Sequence, residues 1–225
     1  MKKLFIFIAA TFLLLPACGG FMFKGEKSAD ELAEKGMQLF RKERYNPAIE
    51  VFTQLRDLHP YSRLAVLAHL KIADAHYQLE HYTQALYEYG EFEKLHPSHP
   101  EIDRVHYRIA RCHFDQVKTV DRDQTATRDA LAALLKFTNQ FPDSDYMEAT
   151  REHIKQCYQM LAGHDFYVGR FYFKSGHYAA ALKRFQAVIG DYPEVGYHDK
   201  ARDYIERCRK KLDRRQDQAA PVEAS

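Results

Sequence analysis

A spacing that recurs four times along the chain constrains the fold more than any other feature of the sequence. An alanine stands twelve residues before a proline, and a large apolar or aromatic residue stands eight before the same proline. The four sets are Ala48, Phe52 and Pro60; Ala85, Tyr89 and Pro97; Ala130, Leu134 and Pro142; and Ala181, Phe185 and Pro193. Because proline disfavours the α region for the residue before it, each proline predicts the end of a helix. Recurrence of this kind is typical of stacked repeat proteins.

A second small residue completes the pattern in three of the four sets. Gly36, Ala73 and Gly169 each stand twelve residues before one of the alanines. This order of small residue, alanine, large side chain and proline resembles the tetratricopeptide repeat, which implies two antiparallel helices per unit. One helix pair cannot bury its apolar faces alone, so successive pairs must stack. We therefore expect an all-α tetratricopeptide-repeat solenoid of about five helix pairs.

Departures from the regular spacing predict the domain layout. Repeats one to three are expected over residues 29–142, and eight extra residues in the third predict an insertion near 118–125. Residues 143–214 are expected to form the fourth repeat, with a long first helix, and a C-terminal capping helix. The final segment, 215–225, has no apolar period and is predicted to be disordered.

The N-terminus predicts secretion and lipid attachment. Two lysines precede a run of twelve apolar residues, which is shorter than the roughly 20 that span a bilayer. The run ends in "LPAC", which resembles a bacterial lipobox, so residues 1–17 are predicted to be a lipoprotein signal peptide and 18–28 a lipidated tether. Cys18 would carry a diacylglycerol and an N-acyl chain, and no other cofactor is expected. The alternative is an ordinary cleaved signal followed by an incidental cysteine.

Charge and motifs exclude several classes of protein. The chain has 33 basic and 31 acidic residues, and loss of the signal removes two of the basic ones, so the mature chain is balanced. Balanced charge does not indicate a nucleic-acid surface. The sequence has no nucleophile elbow, phosphate-binding loop or metalloprotease motif, so we expect no enzyme and no catalytic residue.

The remaining cysteines predict core positions. Cys112, Cys157 and Cys208 are too far apart in sequence for a C-x-x-C metal site, so no metal is expected. Each stands fifteen residues after a repeat-ending proline, and Ala75 occupies the same place after Pro60. This shared position predicts a slot for small residues inside the helix stack.

First-helix residues that face the concave side of a solenoid predict a binding groove. An aromatic residue recurs there in each of the first three repeats, with arginines beside it. The candidate substrate groove consists of Phe40, Arg41, Tyr77, Tyr107, Arg111 and Phe114. Such a surface suits a peptide with aromatic side chains and a carboxylate. The alternative is that the aromatics only pack between helices. Acidic residues such as Asp74 and Asp115 are interpreted as solvated.

The combination of lipobox, short tether, repeats and inserted loop resembles the BamD family, the outer-membrane lipoproteins of the β-barrel assembly machine. The more particular elements are Asp121-Arg122-Asp123 and "FPDSDY" at 141–146. The resemblance implies a periplasmic scaffold that binds the POTRA domain of the barrel subunit BamA, other lipoproteins of the machine and unfolded outer-membrane proteins. It also implies that Arg184, which matches an arginine of the family, lies at the BamA contact.

Two other envelope lipoproteins of the same architecture remain as alternatives. One is a pilotin that escorts a secretin, and the other is an adaptor between the cell wall and the envelope. The pilotin would bind a secretin tail and form no stable POTRA contact, so their partners distinguish them from a barrel-assembly lipoprotein.

Overall fold

Helices account for all the regular structure in residues 27–219, the part of the chain that the computed structural model describes. The all-α prediction is therefore confirmed. Within this range there are nine helices: α1 (Ala29–Arg41), α2 (Tyr45–Leu58), α3 (Arg63–Gln78), α4 (Tyr82–Leu95), α5 (Ile102–Phe114), α6 (Thr125–Gln140), α7 (Met147–Lys174), α8 (Tyr178–Gly190) and α9 (His198–Ala219). Each packs mainly against its neighbours in sequence, as in a solenoid. The first eight form four pairs, and α9 covers the last pair.

Local sequence signals determine where the helices begin and turn. Ser28 caps α1 through a reciprocal pair of hydrogen bonds with Glu31, in which each side chain accepts from the other residue's backbone N–H at 3.1–3.2 Å. The turns inside pairs one, two and four each contain one residue in the left-handed region, at Glu43, Glu80 and Gly176. A left-handed residue satisfies carbonyls at the end of the first helix and reverses the chain in a few residues.

The residues of the recurring spacing form the core. The four alanines and the four large residues that precede the prolines are all completely buried. The predicted small-residue slot is also confirmed, because Ala75, Cys112, Cys157 and Cys208 are completely buried and the three cysteines are free thiols. Burial raises the pKa of Cys112 to about 12 and that of Cys157 to about 11, so both thiols are neutral and behave as small apolar groups.

Glycine allows the two helices of a pair to approach closely. A Cβ placed on Gly36 would lie 2.6 Å from a ring carbon of Phe52, and one placed on Gly169 would lie 2.8 Å from a ring carbon of Phe185. Both rings are completely buried and have no free space to move into. The absence of a side chain at these two positions therefore sets the distance between the helices.

The third repeat contains the insertion, and the loop that forms it is fixed to α7. Gln124 is buried and donates to the carbonyls of Thr119 and Arg122 from inside the loop. The His164 ring contacts the Val120 carbonyl at 2.7 Å through Nδ1. These bonds hold the loop between α5 and α6 against the middle of the 28-residue helix α7.

The predicted disorder after residue 214 is wrong for residues 215–219, because α9 continues to Ala219. A helix that already exists gains one hydrogen bond for each residue added, so an apolar face is not needed for its last turn. Arg215 also lies over the Tyr178 ring at 4.7 Å, which attaches this turn to α8. Residues 220–225 lie outside the described range, as do the predicted signal peptide and Cys18. No helix among residues 27–219 combines the length and the apolar character needed to cross a membrane.

We predict opposite stability effects for two glycine substitutions. Gly36→Ala should lower the free energy of unfolding by about 1–3 kcal/mol, because the added methyl group overpacks a closed core. Gly90→Ala should raise it by about 0.5–1 kcal/mol, because Gly90 lies inside α4 and a Cβ placed on it would have nothing within 4 Å. Urea denaturation monitored by circular dichroism measures both. A Gly36→Ala protein as stable as the parent would contradict the spacing role of this glycine.

Candidate partner-binding groove

A buried carboxylate on α3 connects three helices. Asp74 accepts hydrogen bonds from Tyr89 of α4 at 2.7 Å, from Arg104 of α5 at 2.9 Å and from Lys71 at 3.0 Å. Burial alone would raise the pKa of Asp74, but Arg104, Lys71 and the Tyr89 hydroxyl hold it below its ordinary value. The interpretation of Asp74 as a solvated carboxylate is therefore wrong, because its side chain joins two repeats from inside.

Four of the six candidate groove residues converge on one polar network between α3, α5 and α7. The Tyr77 hydroxyl donates to Asp115 at 2.5 Å, and Arg111 donates to the other oxygen of Asp115 at 2.8 Å. A second nitrogen of Arg111 lies 3.3 Å from Nε2 of His153, which the Tyr107 hydroxyl also contacts at 3.5 Å. The Phe114 ring covers His153 with the ring centroids 4.3 Å apart.

The environment of this network fixes its protonation. Burial and the hydrogen bond to Asp115 raise the pKa of Tyr77 to about 12, so the phenol stays neutral. Burial and the nearby Arg111 guanidinium lower the pKa of His153, which favours a neutral ring that can accept from Arg111. Asp115 is half-buried, so the interpretation of this carboxylate as freely solvated is also wrong.

The predicted aromatic residues recur in a shared packing arrangement. Phe40 packs edge-on against Tyr45, the first residue of α2, and Tyr77 packs in the same way against Tyr82, the first residue of α4, with centroids 5.2 and 5.9 Å apart. The insertion separates α5 from α6, and Phe114 contacts His153 of α7. These rings thus pack between helices while remaining only partly buried.

The six candidate residues differ in accessibility. Arg41 is exposed, Phe40 lies half-buried beneath Lys71, and Tyr107 is buried in a stack on Tyr146 with centroids 4.6 Å apart. Phe114 lines an open cleft of about 740 Å³ between the end of α5, the inserted loop and α7. Phe114 and Arg41 are therefore the members of the set best placed to meet a ligand.

The fourth repeat has an aromatic residue at the same position as the first three. Phe173 stands four residues after Gly169, as Phe40 stands four after Gly36, and it packs edge-on against Tyr178, the first residue of α8, at 5.4 Å. The His153 contact had no comparable signal, because it depends on how the long helix α7 passes beside α5.

Arg184 lies on α8, away from this network. Its guanidinium donates to the buried Asp165 of α7 at 2.7 Å, and the Tyr192 hydroxyl donates to the other oxygen of Asp165 at the same distance. The Arg184 side chain is still 47% exposed. It can therefore hold Asp165 and present part of its guanidinium to a partner at the same time.

We predict that Asp74→Asn lowers the free energy of unfolding at pH 7 by about 3 kcal/mol, because Arg104 is left without its buried partner. The folded pKa of Asp74 lies below 3.8, so its ionised form stabilises the fold above that pH and the contribution is lost as the pH falls through the lowered folded value. The difference between parent and variant should therefore shrink towards pH 3 in urea denaturation.

The exposed carboxylate Asp57 supplies the control for this prediction. Asp57→Asn should change the free energy of unfolding by less than about 0.5 kcal/mol, because the Asp57 side chain is 64% exposed and its pair with Arg56 is long, at 3.7 Å. Equal effects of the two substitutions would contradict a special role for Asp74.

Comparison with known proteins supports the architecture and identifies the family. The chain is 34% identical over 164 residues to the outer membrane protein assembly factor BamD of Caulobacter vibrioides, covering 73% of this chain and 54% of that protein. The chain thus spans about half the length of this relative. It is 28% identical to BamD of Neisseria meningitidis serogroup B, covering 83% of this chain and 74% of that protein.

The fold has a solved counterpart. The TPR2AB domain of yeast Sti1, solved in a complex with pHSP90, superposes with a TM-score of 0.52 at 15% identity, covering 82% of this chain and 70% of that one. At this identity the likeness concerns the fold alone, and it confirms the tetratricopeptide-repeat prediction. The family profile for YfiO, described as an outer membrane lipoprotein, matches residues 25–222 and thus includes every described helix. The chain belongs to the YfiO family of outer-membrane lipoproteins, in which its BamD relatives are found.

Proposed function

We propose that this chain is a scaffold lipoprotein of the β-barrel assembly complex, which binds the POTRA domain of the barrel subunit and helps outer-membrane proteins to fold and insert. The observation that carries this proposal is the family match over residues 25–222. Relatives from two bacterial groups bear the name of outer membrane protein assembly factor, which supports the same role. A stack of helix pairs offers extended surfaces for several partners at once, as an assembly factor requires.

The anchor is part of the proposal. Lipidation at Cys18 would hold the protein on the periplasmic face of the outer membrane through several acyl chains, which bind a bilayer stably where one chain binds only marginally. The tether up to Ser28, the N-cap of α1, would then place the first repeat near the membrane.

The barrel subunit is proposed to contact the chain at Arg184. The guanidinium is half-exposed on α8 and already oriented by Asp165, so little side-chain freedom is lost when a partner carboxylate binds. Other lipoproteins of the machine would use surfaces that leave this residue accessible.

We predict that Arg184→Glu abolishes recovery of a POTRA-bearing barrel protein when the full-length lipoprotein is extracted from membranes and analysed by pull-down and mass spectrometry. Asp165→Asn is the matched control, because it removes the negative charge that pairs with Arg184 but keeps the guanidinium. Recovery should survive in Asp165→Asn if Arg184 contacts the partner directly. Equal loss in both variants would instead make Arg184 a structural residue, and recovery of a secretin or cell-wall enzymes would overturn the proposed function.

The groove is proposed to receive unfolded outer-membrane segments that carry aromatic side chains. Phe114 borders the 740 Å³ cleft, whose apolar lining includes Val117 and Met160, and the nearby cations Lys118 and Arg122 suit a carboxylate. The side chains of Tyr77, Tyr107 and Arg111 would hold this surface in place and would not bind the ligand directly, because their hydroxyl and guanidinium groups already bond within the protein.

We predict that Phe114→Leu weakens the binding of a fluorescent peptide ending in phenylalanine by about tenfold, because a stacking surface is lost while most of the packed volume remains. Tyr87→Ala is the control, since this tyrosine is 66% exposed on α4 outside the cleft. Fluorescence anisotropy measures both affinities. Similar affinities for Phe114→Leu and the parent would place peptide binding elsewhere.

A further inference from the structure

The last repeat holds a second cleft with a different chemistry. It has a volume of about 460 Å³ and lies between the end of α7, the start of α8 and α9. Five cations line it: Lys174, Arg207, Lys210, Lys211 and Arg214. Its remaining lining residues are the aromatics Phe173 and Tyr178, so no acidic residue contributes to the wall. We name these seven residues the basic cleft.

We propose that the basic cleft binds an acidic segment of a partner polypeptide, a separate ligand site that goes beyond the scaffold function proposed above.

The basic cleft has a strong excess of positive charge, whereas the mature chain as a whole has none. The mature sequence is balanced, yet this one cleft has five positive charges and no negative charge in its wall. The cleft beside Phe114 differs, since its two cations share the lining with Asp115. A concavity lined by one sign of charge concentrates ligands of the opposite sign.

Most of these cations have no partner that would compete with a ligand. Within residues 27–219, no carboxylate lies within 4.0 Å of the charged nitrogens of Lys174, Lys211 or Arg214. Arg207 and Lys210 have partners only on their own helix, at Asp203 and Glu206. Arg104 of the third repeat contrasts with this, because the buried Asp74 of another helix holds it at 2.9 Å.

Aromatic rings orient part of this charge. The Arg207 guanidinium lies 5.0 Å from the centroid of Phe173 and 4.6 Å from that of Tyr204. Such contacts hold a cation in place without neutralising it. The site is therefore partly preorganised, which lowers the entropy lost on binding.

The position and surroundings of the cleft favour a polypeptide as ligand. Phe173 and Lys174 stand four and five residues after Gly169, as Phe40 and Arg41 stand after Gly36, so the cleft uses the repeat positions that form the candidate groove in the first repeat. Beside it on α7, Tyr167 and Phe171 are 50% and 62% exposed and flank Arg170. A peptide chain can bring carboxylates to the cations and an apolar side chain to these rings, whereas a flat bilayer surface cannot enter a concave groove.

The test uses the full-length protein extracted in detergent and a fluorescein-labelled peptide of glutamate and phenylalanine residues. We expect Lys174→Glu/Lys211→Glu to weaken binding by about tenfold, since two exposed attractions become repulsions. The matched control is Lys155→Glu/Arg209→Glu, which changes the net charge equally with exposed residues outside the cleft and should keep the parental affinity. Circular dichroism verifies that both variants are folded.

Three outcomes would overturn the proposal. Equal weakening in the two double variants would mean that only net charge matters. Equal binding of a peptide with glutamine in place of glutamate would mean that the rings alone bind it. Cleft-dependent sedimentation with phosphatidylglycerol vesicles, together with no peptide binding, would identify an anionic lipid surface as the ligand.

Discussion

The contact between a small residue on one helix and a large side chain on its partner is the constraint on which the rest of the structure depends. Gly36 receives the Phe52 ring and Gly169 receives the Phe185 ring at distances that leave no room for a methyl group. Because a packed ring cannot be compressed, the contact fixes how far apart the two helices lie.

Polar contacts on the groove side connect one repeat to the next. Arg104 of α5 reaches Asp74 of α3, the hydroxyl of Tyr77 reaches Asp115, and Arg111 reaches His153 of α7. Since these contacts join α3 to α5 and α5 to α7, the first helices of repeats two, three and four form a linked surface rather than a set of independent elements. A groove built in this way can present side chains to a ligand without first having to order them.

The sequence predicts the repeat core better than the candidate site. Spacing reports packing directly, because Ala48 and Phe52 are buried for a steric reason that applies in every unit. The burial of Asp74 could not be predicted from the repeat spacing, because it depends on an arginine thirty residues away on another helix. Whether the ring of Phe114 faces solvent or a neighbour likewise depends on α7. The role of Arg184 is implied by resemblance to a family and not by the repeat spacing. A repeat pattern reports the positions that all units share, whereas binding residues are the positions at which units differ.

The third and the last repeat differ in what their cations contact: carboxylates in the third repeat and aromatic rings at the last. In the third repeat, Arg104 and Arg111 are neutralised by Asp74 and Asp115, and this pairing uses their charge to hold the polar network in place. At the last repeat, the helix that covers the stack has eight basic and five acidic residues, and aromatic rings hold Arg207 in place. A cation–π contact positions a charge without cancelling it. An extended peptide bound along the repeats would therefore prefer the orientation that places its acidic part at α9. In this way the solenoid can determine the direction of a bound chain as well as its affinity.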